Sequence, residues 1–504
     1  MTFVNLTQNS LSSLSDNITV PGYDRNRVTT GIVHIGPSAF FRGHLAVYVD
    51  DLLNQGATDL GICAVSLKTN NVSNALKSQD CLYTVVEQSA QGKQARVIGS
   101  VKEIIVARDN PQVVLQKMAS PETKLVTMTV TQGGYYYKNG NLDFDHEDIK
   151  ADLTKADEPS STVGFIVKAL EMRMQAGIKP FAVMSCDNLP NNSFVLRNVV
   201  LAYAAQKSPE LRDWIANEVP FPSTMVDRIV PKTTPENVDQ HKQEFGYGDA
   251  WPIYTESFRQ LVIENVPAEF PFPDFSKAGA LHTEDVGVFE LMKIRLLNGT
   301  HMALGMIGRM AGYTYSHEAI RDPAIRSFIK GMMDEMTQTL NPVKGVDLEA
   351  YKATIITRLE SEYMKDELAR LARNGVDKMD SRFLSPLRDA LSRQTPCERL
   401  VFAAASWIEY LKRAGPGFDI QDEKAVNGAL PEKARASGST GSAILANKDI
   451  FGSDLPSSRF FQAKFKGCLT RICNHPDNIL EALQFPDNPE PANTPVPGVP
   501  APAP

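Results

Sequence analysis

Gly31-Ile32-Val33-His34-Ile35 is a short apolar run, and Gly36-Pro37-Ser38-Ala39-Phe40-Phe41-Arg42 follows it directly. The run has the length and apolarity of a buried strand, and Phe40 to Leu53 behind it reads as helix. Strand, glycine-containing loop and helix in that order put this loop where a nucleotide-binding turn should be, so that backbone N–H groups and the helix dipole can hold a pyrophosphate. Against the Gly-x-Gly-x-x-Gly pattern, Ser38 stands at the second glycine position and Phe41 at the third. Serine is small enough for the backbone still to approach a phosphate. Gly36, Ser38, Phe40 and Arg42 are therefore candidate cofactor residues, although an ordinary strand-to-helix turn has the same outline.

Reading outward, GICAVS (61–66) is a second strand, followed by Leu67-Lys68-Thr69-Asn70-Asn71. An NAD enzyme usually places an acid here for the ribose hydroxyls, and none is present. Lys68 could meet a 2′-phosphate, or Asn70 or Asn71 the ribose, so NAD and NADP both stay open. LVTMTVT (125–131) and FAVMS (181–185) are further buried strands, with helical segments such as Val163 to Gln175 between them. This alternation implies a parallel sheet with crossover helices. From about residue 285 the pattern turns almost wholly helical: Val286 to Tyr313, then 323–339, 347–373, 384–393 and 397–413. The expected organisation is α/β, with a dinucleotide-binding domain over 1–284 and a helical substrate and catalytic domain over 285–484. Residues 485–504 carry eight prolines and no core-forming pattern, as expected of a disordered tail.

The bulk composition narrows the class. A chain of 504 residues with 42% hydrophobic and 22% charged residues is ordinary globular material. A net charge of -7 leaves no basic footprint for nucleic acid or an anionic membrane, so small-molecule partners are expected. The first residues lack a basic segment followed by an apolar one, and the six cysteines have no metal-ligand spacing. A cytoplasmic, metal-free protein with reduced thiols, either a monomer or a small homo-oligomer, is the expectation.

The chemistry concentrates in Glu290-Leu-Met-Lys293-Ile-Arg-Leu-Leu-Asn298-Gly-Thr-His301. At ~100° per residue, with Lys293 at zero, Glu290 falls at about 60°, His301 at about 80° and Asn298 at about 140°. Arg295, at roughly 200°, turns away from them. A lysine, an amide, an imidazole and a carboxylate sharing a helix face suit oxidation of a secondary alcohol. Hydride leaves carbon only as the hydroxyl proton is lost, and a lysine whose pKa burial has lowered can take that proton. Asn298 can donate to the developing alkoxide, His301 can hold a neighbouring hydroxyl, and Glu290 can relay the proton outward. Ser185-Cys186-Asp187-Asn188-Leu189-Pro190-Asn191-Asn192 follows a strand, where α/β sheets bind ligands, so Asn188 is a candidate second donor.

Together these segments resemble the long-chain mannitol dehydrogenase family, which includes mannitol 2-dehydrogenases and fructuronate reductases. The resemblance rests on IVHIGPSAFFRGH, TVTQGGY, SCDNLPNN, STMVDRIVP, ESFRQLVIEN and KIRLLNGTH, and continues more weakly to KMDSRFLSPLRDAL. It implies a Rossmann-like domain, a helical domain, and a metal-independent NAD(P) enzyme with its site in an interdomain cleft. Carried over by position, Lys293 matches the general base, Asn188 and Asn298 the oxyanion donors, His301 the substrate-orienting imidazole and Glu290 a glutamate tied to proton release. Asp227 matches a residue lining the site, and Lys378 and Arg382 fall near basic substrate contacts. The chain departs from the family at Ser38, usually glycine or alanine, at Phe41, usually histidine, and at Gln132, usually glutamate.

The leading expectation is reversible oxidation of a polyol such as mannitol to its ketose. Reduction of a keto-uronate is the alternative within the family. Outside it stand an aldolase-like site with Lys293 as Schiff-base nucleophile and a non-catalytic nucleotide-binding protein.

Overall fold

Ile32, Val33 and Ile35 are buried because the strand they form, β1 (Thr30–Ile35), is the centre of a sheet covered on both faces. The computed structural model describes residues 3–485 except Ala156 and Lys344. Behind β1 come α1 (Ala39–Gly43), α2 (Leu45–Asn54), β2 (Gly61–Ser66), β3 (Val101–Val106) and β4 (Leu125–Met128). Next are α3 (Glu147–Thr154), α4 (Thr162–Gln175), β5 (Ala182–Ser185) and α5 (Asn192–Ala205). The five strands are all parallel, in the order β5-β4-β1-β2-β3. Alternation along β1 fills two cores: Ile32 packs with Phe41, Ala46 and Tyr48 from α1 and α2, whereas Val33 and Ile35 pack with Phe165 and Leu196 from α4 and α5.

The chain leaves β1 toward β2 on one side and returns through β4 on the other. The carboxyl ends of β1 and β4 therefore border a topological switch point, where doubly wound sheets bind ligands. A smaller sheet of β6 (Thr224–Asp227), β7 (Gln260–Glu264) and β8 (Leu281–Thr283) completes the part of this unit that carries candidate residues. This unit runs to Gly287, and a second, helical one begins at Val288.

The helical unit is entered through α6 (Gly287–Met292), whose first residue ends the first unit, followed without a break by a π-helical turn (Lys293–Gly299) and α7 (Thr300–Met310). It continues with α8 (Pro323–Thr337), α9 (Leu348–Leu359), α10 (Gly375–Met379), a second π-helical turn (Asp380–Leu384), α11 (Ser385–Arg393), α12 (Glu398–Lys412) and α13 (Arg459–Cys473). The helix expected over 347–373 is two: α9 stops at Leu359 and a short helix resumes at Leu368–Leu371, with Lys365 at φ 41° between them. Phe485, expected in the tail, packs its ring against Phe328 and Phe402, with centroids at 5.5 Å and 5.3 Å. The rest of the proline-rich stretch lies outside the described residues. Among the described residues no helix is long and apolar enough to cross a membrane.

Candidate functional site

At the switch point of the first unit lies a groove of about 460 Å³, lined by Gly36, Pro37 and Ser38, by Ser66 to Thr69, and by Thr129, Val130, Gly133 and Gly134. Tyr136, His146 and Asp148 form a further part of its wall. Gly36 is there for two reasons: its φ is +91°, and a Cβ would meet the Thr129 carbonyl oxygen at 2.3 Å. Ser38 is the N-cap of α1, its hydroxyl accepting from the Phe41 N–H at 3.1 Å. The serine thus organises the first helical turn, while Phe41 lies buried and stacked on His34 with ring centroids 3.6 Å apart.

His34 holds this turn from below. Its Nε2 lies 3.0 Å from the Gly36 carbonyl, which can only accept, so Nε2 carries the proton and Nδ1 accepts from the Thr127 hydroxyl at 2.7 Å. Burial pushes this imidazole down to about 3, so it stays neutral. Thr129 donates to the same Gly36 carbonyl at 2.7 Å, and its oxygen lies 3.1 Å from Ser38 Oγ. A tight glycine turn, a capped helix start and a groove at the switch point together fit the pyrophosphate of a dinucleotide.

Three of the sequence-expected cofactor residues, Gly36, Ser38 and Lys68, line the groove. Phe40, Arg42 and Asn70 are absent from its lining. Phe40 stacks on His44 at 4.8 Å, and the exposed Asn70 accepts from Asn74 N–H through its carbonyl. Arg42 requires a correction: it is 1% exposed, donates to the Trp251 carbonyl at 2.8 Å and lies over the Tyr83 ring. Its charge is spent on packing distant parts of the chain together. Lys68 is exposed and paired with Asp148 at 2.8 Å.

Next to the groove residue Val130, the Asp187 carboxylate accepts from the N–H groups of Val130 and Thr131, each at 3.0 Å, and from the Tyr135 hydroxyl at 2.9 Å. It clamps the loop after β4, where Thr131 adopts φ +62°. Burial raises the Asp187 carboxyl above its ordinary range. Asn188 follows it as an exposed residue at the carboxyl end of β5. Sequence reading selected Asn188 and passed over Asp187, Thr129 and Asp148, whose partners lie tens of residues away. Asp227 ends β6, buried and paired in register with Gln260 of β7.

In the second unit Lys293 is 5% exposed and begins the first π-turn. Uniform helical arithmetic fails here, since i→i+5 bonding advances fewer degrees per residue than an α-helix does. The wider turn brings Asn298 back toward Lys293. The Asn298 amide is assigned with its NH2 toward the Lys293 carbonyl, at 3.1 Å, and its oxygen toward Arg382 Nη1, at 2.6 Å, because only that orientation pairs donor with acceptor on both sides. Arg382 belongs to the second π-turn. A Cβ on Gly299 would lie 2.8 Å from Met336 Cε and 3.3 Å from the Arg382 carbonyl oxygen, so glycine admits that close approach. Two π-turns packed together, each carrying a candidate residue, are typical of functional positions.

Arg295 turns away as expected, buried and donating to Thr339 Oγ1 at 2.6 Å and to Asp389. Glu290 and His301, in α6 and α7, are half-buried. Burial lowers Arg382 to about 10 and leaves its Nε without a partner among the described residues, a donor that a ligand oxygen would satisfy. Lys378 donates to the Arg373 carbonyl. Burial, then the charges of Arg382, Arg373 and Arg370, lower it to about 8 against the opposing pull of Asp422.

Known proteins match this chain over both units. Residues 30–276 match the mannitol dehydrogenase Rossmann domain and residues 285–473 the mannitol dehydrogenase C-terminal domain. A mannitol 2-dehydrogenase of Phaeosphaeria nodorum is 41% identical over 479 residues, covering 93% of this chain and 83% of that protein. One from Aspergillus fumigatus is 40% identical over 481 residues, 92% of this chain and 95% of the relative. Among solved structures, a substrate-free D-sorbitol dehydrogenase aligns with a TM-score of 0.89 at 32% identity, covering 95% of this chain and 99% of that one. The Pseudomonas fluorescens mannitol 2-dehydrogenase, in ternary complex with NAD and D-mannitol, aligns with a TM-score of 0.80 at 36% identity and the same coverage, 95% and 99%. The chain belongs to the mannitol dehydrogenase family.

Proposed function

We propose that the protein is an NAD(P)-dependent polyol dehydrogenase that interconverts a polyol, mannitol foremost, with its ketose. The observation that carries this reading is the Lys293–Asn298–Arg382 arrangement, in which an amide bridges a buried lysine's backbone and an arginine across two π-turns. A nicotinamide dinucleotide held by the Gly36–Ser38 turn would supply the hydride acceptor for the carbinol carbon. Lys293 takes the hydroxyl proton, and the second N–H of Asn298, left over after its bond to the Lys293 carbonyl, donates to the alkoxide oxygen. Asn188 is assigned as the second donor to that oxygen. His301 holds the neighbouring hydroxyl, Glu290 passes the proton outward, and Asp227, Lys378 and Arg382 bind the rest of the polyol chain. We assign dinucleotide binding to residues 1–284 and the chemistry to 285–484.

Two cations near the π-turns also suit a carboxylate, which keeps keto-uronate reduction as the second reading. A panel of polyols and keto-uronates, run with both dinucleotides and followed by reduced-nicotinamide absorbance, tests the assignment. Mannitol or sorbitol turnover exceeding that of every uronate supports it. Dinucleotide binding without turnover of any panel member contradicts it, and borohydride trapping of substrate on Lys293 would replace it with Schiff-base chemistry.

Two further results are expected. Thr129→Val keeps the side-chain shape but removes the hydroxyl that holds the Gly36 turn. It should weaken NADH binding about fivefold with kcat little changed, and Thr129→Ser should restore binding. Lys378 is charged below about pH 8 and neutral above it. If its ammonium holds substrate hydroxyls, the polyol KM rises as pH climbs through that value. In Lys378→Arg, which stays charged, this inflection should disappear.

A further inference from the structure

The groove that would take the dinucleotide contains one lysine and no acid at the end of β2, which leaves the choice between NAD and NADP open on sequence alone. The geometry points to Asp148, at the start of α3, as the residue that makes this groove select NAD over NADP. This rests on the dinucleotide reading of the groove.

Lys68 and Asp148 both line the groove, from the segment after β2 and from α3, and they form an ion pair at 2.8 Å. Asp148 Oδ2 also accepts from the Tyr136 hydroxyl at 3.0 Å. Tyr136 is itself fixed: its φ is +53°, and its ring stands edge-on to His146 at 4.7 Å. The carboxylate is therefore built in place by three wall residues. It is also held below the usual carboxylate range, chiefly by its bond to Lys68. Among the described residues Lys68 is the one lysine or arginine in the lining, and its charge is already matched by Asp148.

A 2′-phosphate brings about -1.5 to -2 charges and needs an available cation. In this groove it would have to displace Asp148 from Lys68 and then sit beside the displaced carboxylate. A 2′-hydroxyl has no such requirement and can donate to Asp148, as ribose hydroxyls do to the acid of NAD enzymes. The acid missing after β2 is thus supplied from α3, 80 residues from Lys68 along the chain.

Fluorescence titration of the full chain with NADH and NADPH tests this without relying on turnover. The wild type should bind NADH the more tightly. Asp148→Asn keeps an oxygen for Tyr136, releases the Lys68 ammonium, and should tighten NADPH binding roughly tenfold relative to NADH. Lys68→Met alone should leave NADPH weak, because that ammonium is already claimed, and the double variant should lose the gain seen in Asp148→Asn. An unchanged NADPH-to-NADH ratio in Asp148→Asn, or a wild type that prefers NADPH, overturns the inference and leaves the dinucleotide reading intact. A wild type that binds neither nucleotide overturns both.

Discussion

Lys293→Ala is expected to lower kcat by roughly two to four orders of magnitude while NADH binding stays within about twofold of wild type. The size of the loss follows from what the amine is asked to do. Without a base at the carbinol oxygen, hydride departure would leave a protonated carbonyl, and the whole proton-transfer contribution is lost with the side chain. Dinucleotide affinity is expected to persist because the groove residues are all in the first unit, whereas Lys293 starts a π-turn in the second. Lys293→Met, which keeps most of the buried volume, should be as inactive as the alanine variant. Stopped-flow measurement of reduced-nicotinamide formation in a single turnover separates this loss from slow product release. Near wild-type single-turnover rates in either variant would show that the proton leaves by another route.

The second large effect is expected at Asn298. Asn298→Asp keeps an oxygen for Arg382 but replaces the NH2 that faces the Lys293 carbonyl with a second carboxylate oxygen. The alkoxide then loses a donor and gains a like charge beside it, so kcat should fall by about a hundredfold to a thousandfold. Asn298→Ala should also be slow and, in addition, less stable, because it strips Arg382 Nη1 of its partner beside an Nε that already lacks one. Comparing thermal unfolding with kcat for the two variants distinguishes the chemical loss from the structural one. An aspartate variant with wild-type turnover would remove Asn298 from the oxyanion role.

Much of this was legible along the chain, because the decisive signals are local. The run 31–35 announces a doubly covered strand by its composition, and β1 is the centre of the sheet. The helical second half announces itself by periodicity, and the polar set around Lys293 by its spacing. What escaped was decided by partners far away. Arg42 sits in a turn that looks made for phosphate, yet the Trp251 carbonyl, 209 residues on, takes its guanidinium. Ser38 reads as a degraded glycine, but the structure uses its hydroxyl as a helix cap and as a contact for Thr129.

The π-turn at Lys293–Gly299 carries no local signature either. Leu296, Leu297 and Gly299 fit a regular helix equally well, and the widening becomes visible only beside the second π-turn and Arg382. Uniform helix arithmetic therefore misjudged the angle of Asn298 relative to Lys293. Likewise nothing in 347–373 predicts a break, since the stretch from Glu360 to Asp366 holds neither glycine nor proline. Its turn is set by tertiary pairing, with Ser316 N–H donating to the Asp366 carbonyl at 2.9 Å.

If the Lys293 amine, acting as a base, carries the proton of a polyol oxidation, small amines should replace it in Lys293→Ala. The inactive variant, saturated with mannitol and dinucleotide, is supplied with small primary amines of graded basicity while reduced nicotinamide is followed. Turnover should return, saturate with amine, and increase with amine basicity once corrected for the neutral fraction. Full turnover before any amine is added, or covalent capture of substrate on Lys293 of the wild type by borohydride, would contradict that role.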